Sequence, residues 1–230
     1  MNQNMQQTYD LAGDSLAVRH RVLRNTYWLL AISMIPTILG AWLGVQFKFA
    51  FFPGSPSLGF IAFMAVAFGF IYAIEKTKTS GWGVAVLLGF TFFMGLMLSR
   101  LIGHILGFSN GASLIMTAFG GTATILGVMA TVATVSKRDF SGLGKWLFAG
   151  VLVILVAAAA NIFLQLPALM LVISVIAIAI FSAYILFDVQ QVINGGQTNY
   201  ISAALSIYLD VYNIFVNLLS LLGIFGGSRN

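Results

Sequence analysis

ISAALSIYLDVYNIFVNLLSLLGIF, residues 201–225, decides the fold. At about 1.5 Å per residue it is long enough, as a helix, to cross a hydrocarbon layer of ~30 Å. It also carries Ser206, Asp210, Asn213, Asn217 and Ser220, at offsets of 4, 7, 11 and 14 from the first. On a helix these lie within an arc of about 80°. A polar stripe of that kind cannot favourably face lipid. It is therefore expected to turn inward, where it lines a hydrated path or an internal hydrogen-bond network. An inward stripe requires surrounding helices, and the rest of the chain supplies them.

Six further apolar blocks fall at about 25–46, 57–74, 81–99, 111–135, 146–164 and 167–187. They are separated by short polar or turn-forming breaks, among them Pro53-Gly-Ser-Pro56, Glu75-Lys-Thr-Lys78, Ser136-Lys-Arg-Asp139 and Asn194-Gly-Gly-Gln197. The composition agrees: 60% of the residues are hydrophobic and 7% charged, against roughly 25% charged in a soluble domain. The fold class is an all-α integral membrane protein with seven transmembrane helices. Residues 1–18 are expected as a mobile, solvated tail and 19–230 as the seven-helix domain. The polar start and the long first apolar run do not resemble a cleaved signal.

Of the eleven basic residues, eight fall in alternate segments with the N-terminus and three in the others. Positive-inside reasoning places the N-terminus in the cytoplasm and the C-terminus outside. Scattered between apolar blocks, these residues form no patch for tracking phosphates, so nucleic acid is not an expected partner. There is no cysteine, hence no disulfide framework and no thiolate chemistry. Helix four shows Ala123, Gly127 and Thr131 at successive turns, with Gly120 and Thr124 beside them. A neighbouring helix is expected to pack closely along that face. Pro36 is expected to bend the first helix.

An ionisable side chain in a bilayer costs at least ~2.5–3.5 kcal/mol at mid-depth and calls for a partner or a role. Two acids lie well inside apolar blocks, Asp188 in helix six and Asp210 in helix seven. An antiparallel hairpin brings them to a similar depth. Two adjacent carboxyls in a low dielectric do not both ionise readily, so the pair is expected to share a proton and respond to pH. Oxygen-only ligands suit a transiently bound hard cation such as Ca²⁺ better than zinc or copper. The alternative is a protonated pair that merely ties the two helices together. Residues alone favour neither reading.

His20 and His104, the latter placed in an outer loop, have no metal-site spacing. Asn161, Gln165, Gln190 and Gln191 read as helix-end hydrogen-bonding groups. No G-x-S-x-G elbow or catalytic grouping occurs, so no enzyme activity and no cofactor are expected. The last helix has no lysine for a retinal Schiff base.

Arg24-Asn-Thr-Tyr27, Ala118-Phe-Gly-Gly-Thr-Ala123, Asn161-Ile-Phe-Leu-Gln-Leu-Pro-Ala168, Ile185-Leu-Phe-Asp188, Gly195-Gly-Gln-Thr-Asn-Tyr200 and Ser206-Ile-Tyr-Leu-Asp-Val-Tyr-Asn-Ile-Phe215 together resemble the Bax inhibitor 1 (TMBIM) family, in its bacterial YccA-like branch. The resemblance implies a seven-helix bundle with helix seven central, wrapped by two three-helix groups, and a monomer is expected. It also implies a pH-sensitive calcium leak channel in a bacterial inner membrane, with Asp188 and Asp210 as the gating acids and Ca²⁺ and H⁺ as the ions. Retention of both acids favours permeation. The branch is also similar to regulators of the membrane AAA protease FtsH. On that reading the protein does not transport, and the tail is its exposed handle. Two departures stand out. Leu98-Ser99 lies near where the family has Gly-Pro after helix three. At the end of helix two the family's basic cluster is replaced by Glu75-Lys76-Thr77-Lys78, leaving Lys76 and Lys78 as candidates for a basic latch to Asp188.

Overall fold

A computed structural model describes the backbone of residues 3–49, 51 and 54–227, and side chains from residue 17 onward apart from Pro56 within those ranges. Seven α-helices account for nearly all of it: α1 Gln3–Gln46, α2 Pro56–Thr77, α3 Gly81–Leu106, α4 Gly111–Val135, α5 Gly144–Leu164, α6 Pro167–Ile193 and α7 Tyr200–Gly226. Each contains a segment long and apolar enough to cross a membrane. The chain is an all-helical membrane protein. The segment expected as a tail continues α1 as helix from Gln3, while Met1, Asn2 and the side chains of residues 3–16 lie outside the described residues.

The helix ends follow from local chemistry. Ser55 caps α2, its hydroxyl accepting from the Leu58 N–H. α5 stops where Gln165 turns left-handed at φ 51° and the Asn161 side-chain carbonyl oxygen accepts from the Leu166 N–H at 3.0 Å. Pro167 then opens α6 at a position where its missing N–H costs nothing. Asn199 caps α7, accepting from the N–H groups of Ile201 and Ser202 and donating its own amide to the Lys78 carbonyl. The α6–α7 link turns at Gly195, φ 79°, with the Arg19 guanidinium packed against it.

α7 packs against α1, α2, α3, α4 and α6; α3 also joins α1 to α2, and α6 joins α4 to α5. The main core clusters Phe90 and Met94 of α3, Ile185 and Val189 of α6 and Ile207, Tyr208 and Ile214 of α7. A smaller cluster at the far end holds Ile105, Leu114, Ala118 and Leu219. Lipid tails are as apolar as these side chains, so cohesion rests on close packing and buried hydrogen bonds. Both appear where α1 crosses α3. A Cβ on Gly40 would strike the Phe92 carbonyl oxygen, and one on Gly95 the Thr37 carbonyl oxygen. Beside this seam, the Tyr208 hydroxyl meets Thr37 Oγ1 at 2.9 Å and the Tyr212 hydroxyl donates to the Met94 carbonyl at 3.2 Å.

Two expectations change. Ala123, Gly127 and Thr131 of α4, with Gly120 and Thr124, are exposed, and α4 packs instead through Leu114, Ala118 and Thr122. The reason is that Thr124 and Thr131 donate to the Gly120 and Gly127 carbonyls of their own helix. Their hydroxyls are satisfied, so that face tolerates lipid. The second change concerns α3, which runs to Leu106 and so carries Arg100 and His104 within the helix rather than in a loop. His104 lies edge-on to Phe108 at 5.3 Å. α1 continues unbroken through Pro36.

Candidate functional site

Asp188 sits one and a half turns before the end of α6 and Asp210 three turns into α7. The antiparallel contact of these helices brings their carboxyl groups together, each within reach of the other's charge and of a shared proton. Asp210 is 4% exposed and Asp188 half-buried. Among the described residues no N–H or O–H donor reaches the buried Asp210 Oδ2. The neighbouring group that can supply one is the Asp188 carboxyl carrying a proton. Tyr184, one turn before Asp188 on the same face, is close enough to interact with both acids. Sequence reasoning missed it, although its i, i+4 spacing from Asp188 was a usable signal.

From the end at which α1 begins, a cleft of about 170 Å³ reaches Asp188, lined also by Gln191, Gln197, Ala203 and Ser206. Ser206 lies one turn above Asp210 on α7. The arrangement is therefore graded: an open polar cleft, then a half-buried acid, then a fully buried acid.

The rest of the predicted stripe behaves differently. Asn213 and Asn217 are half-buried and donate to the Leu209 and Asn213 carbonyls, and buried Ser220 donates to the Val216 carbonyl. Each turns a donor back to its own helix. The two lysines proposed as a latch are engaged at the end of α2. Lys78 pairs with Glu75 at 2.6 Å, Glu75 accepts from the Ser202 hydroxyl, and Lys76 sits 5.3 Å from the centre of the Tyr72 ring. Among the described residues no three His, Cys, Asp or Glu side chains come together as a metal site. A cation at the acid pair would have to complete its shell from amide, hydroxyl or water oxygens.

Gln190 anchors the site from behind. Its amide oxygen accepts from the Phe140 N–H at 2.6 Å and its amide nitrogen donates to the Arg138 carbonyl at 2.7 Å, holding the α4–α5 link to the end of α6. Gln190→Ala is expected to accelerate amide exchange at Phe140 by about fivefold, since a net hydrogen bond is worth roughly 1 kcal/mol; an unchanged rate would show that the bridge is not what protects the link. In the same link Asp139 accepts from both the N–H and the hydroxyl of Ser141, which holds its carboxyl below the ordinary aspartate range. A lowered native value stabilises the link at pH above the unfolded value, and the effect fades as pH falls through the native one.

Residues 19–227 match the family described as inhibitor of apoptosis-promoting Bax1. The chain is 39% identical over 209 residues to an Escherichia coli K12 protein named modulator of FtsH protease YccA, covering 91% of this chain and 92% of that one. An uncharacterised Neisseria meningitidis protein is 37% identical over 216 residues, covering 93% and 95%. One from Pseudomonas aeruginosa is 34% identical over 206, covering 90% of each. With seven membrane-crossing helices and a match that runs from the first of them to the last, this chain is a membrane protein belonging to the Bax1 inhibitor family.

Proposed function

We propose that this protein is a multi-pass inner-membrane protein, N-terminus in the cytoplasm, in which the Asp188/Asp210 pair is the proton-responsive gate of a calcium leak path. The observation that supports the reading is a pair of carboxyl groups within reach of one proton, Asp188 lining a polar cleft and Asp210 buried behind it. Two carboxyls that share a proton are held together while it is bound and repel when it is lost, so proton or cation binding shifts the balance between two arrangements. Ser206, Gln191 and Gln197 offer neutral oxygens along the approach, which suit a hard cation in transit. To latch onto Asp188 in another state, Lys78 must first leave Glu75 and Lys76 must leave the Tyr72 ring. The test is dye-reported Ca²⁺ flux into proteoliposomes between about pH 6 and 8. Flux above that of empty liposomes and graded with pH is expected, and flux indistinguishable from empty liposomes would remove the transport reading.

A second reading is favoured by the 39% identity to the protein named as a modulator of FtsH protease. Here the chain binds a membrane AAA protease, and the α1 extension preceding Ala17 is the handle. Deleting residues 2–16 is expected to abolish co-purification with the protease while leaving flux unchanged. Intact co-purification after the deletion would eliminate that handle. The two functions are compatible, because one uses the bundle interior and the other the α1 extension.

A further inference from the structure

We propose that α1 carries a binding site for an anionic phospholipid, its phosphate held by Arg21 and Arg24 and its acyl chain laid along Trp28, Ile32 and Ile35. Near the start of α1 lies an open cleft of about 560 Å³ lined by His20, Arg21, Leu23, Arg24 and Tyr27, a volume in the range of ligand-holding clefts. Leu23 and Tyr27 are partly buried against the core, whereas Arg21 and Arg24 are exposed. Among the described residues Arg21 and Arg24 make no ion pair or hydrogen bond. The cleft thus has an apolar floor and a rim carrying two arginines without an ion-pair partner among the described residues.

Its depth in the membrane follows from the aromatic residues. Trp28, Tyr72, Trp82 and Trp146 are all exposed at the end of the bundle where α1 enters. Exposed tryptophan and tyrosine mark the interface between headgroups and hydrocarbon. Arg24 and Arg21 stand roughly 6 and 10 Å beyond Trp28 along the helix, which is the level of lipid phosphates.

The direction of the site follows from helical geometry. Arg21, Arg24, Trp28, Ile32, Ile35, Leu39 and Trp42 are all exposed and fall within an arc of about 80° on α1. One unpartnered stripe therefore runs from two cations at phosphate level, past an interfacial indole, onto the aliphatic surface of Ile32, Ile35 and Leu39. A soluble anion would use the two arginines and leave the rest of the stripe idle. A phospholipid matches the whole of it, and the arginine pair selects a net negative headgroup over a zwitterionic one.

The test is native mass spectrometry of the full chain in detergent, titrated with dioleoyl phosphatidylglycerol, dioleoyl phosphatidylcholine and inorganic phosphate. One phosphatidylglycerol is expected to be retained with about 30-fold preference over phosphatidylcholine at low salt, since each basic residue at an anionic surface contributes roughly fivefold. R21Q/R24Q should bring the two lipids to near parity. R21K/R24K, which keeps the charge, should hold the preference within about threefold of the original. K137Q/K145Q removes the same charge from exposed positions at the same end of the bundle and should leave the preference intact. The proposal is overturned if R21Q/R24Q keeps the preference or if K137Q/K145Q loses it equally. Displacement of the lipid by inorganic phosphate at matched concentration would also overturn it, leaving a simple anion site.

Discussion

Asp188→Asn/Asp210→Asn is expected to flatten the pH dependence of Ca²⁺ flux between about pH 6 and 8 while leaving a folded, membrane-inserted protein. A single shared proton can change flux by at most about tenfold per pH unit. The expected change is therefore from a slope within that limit to none. Asparagine has nearly the volume of aspartate and brings its own N–H donors, so Asp210 Oδ2, the buried oxygen without a donor, is replaced by a group that the neighbouring amide can satisfy. The repulsion that arises when both acids ionise is removed as well. The double variant should consequently lose less thermal stability than the wild type when the pH is raised from 6 to 8. A pH slope that survives the double substitution would show that the sensor lies elsewhere. Parallel stability curves for the two proteins would show that the acids are not coupled as their proximity implies.

Gly95→Leu is expected to be the most damaging single substitution in the α1–α3 seam. Its Cβ would strike the Thr37 carbonyl oxygen and lie 3.0 Å from the Ala41 nitrogen, both of them backbone. No side chain can rotate aside, so the helices must part. Overpacking of this kind costs about 1–3 kcal/mol. Parting the seam also loosens Thr37, which joins Tyr208 of α7 to the Thr91 carbonyl of α3; each such bond adds up to about 1 kcal/mol. A loss near 3 kcal/mol lowers the midpoint of thermal unfolding by roughly 6–12 °C in a chain of this size. Gly127→Leu supplies the contrast, because nothing lies within 4 Å of a Cβ there and the position faces lipid; no more than about 1 °C of change is expected. Equal midpoints for the two variants would refute the seam as the basis of cohesion.

The proposed site is partly legible in the amino-acid order. Asp188 and Asp210 are conspicuous because a charge inside an apolar block is costly whatever surrounds it. The hairpin brings them to a similar depth, and the tertiary structure sets the two carboxyls side by side. Asn213, Asn217 and Ser220 have the right periodicity for a polar lining, but amide and hydroxyl groups can turn back to carbonyls of their own helix, and here they do. Periodicity records which way a residue points and is silent on whether its hydrogen bonds are already made. The same ambiguity affects the small face of α4. Gly120, Gly127 and their threonine neighbours look like a packing seam in sequence, yet the seam lies at Gly40 and Gly95.

By itself, then, the amino-acid order determined that the chain is a membrane protein, how many times it crosses, and which two acids are exceptional. These properties depend on transfer from water to hydrocarbon, which acts block by block along one helix at a time. Tertiary structure alone decided which glycines carry the close crossing, which lysine is already paired with Glu75, and that Asp188 lines the cleft while Asp210 lies buried behind it. In a bilayer every helix surface is apolar enough to meet either lipid or another helix. The choice between them rests on steric fit and hydrogen-bond completion across elements distant in the chain.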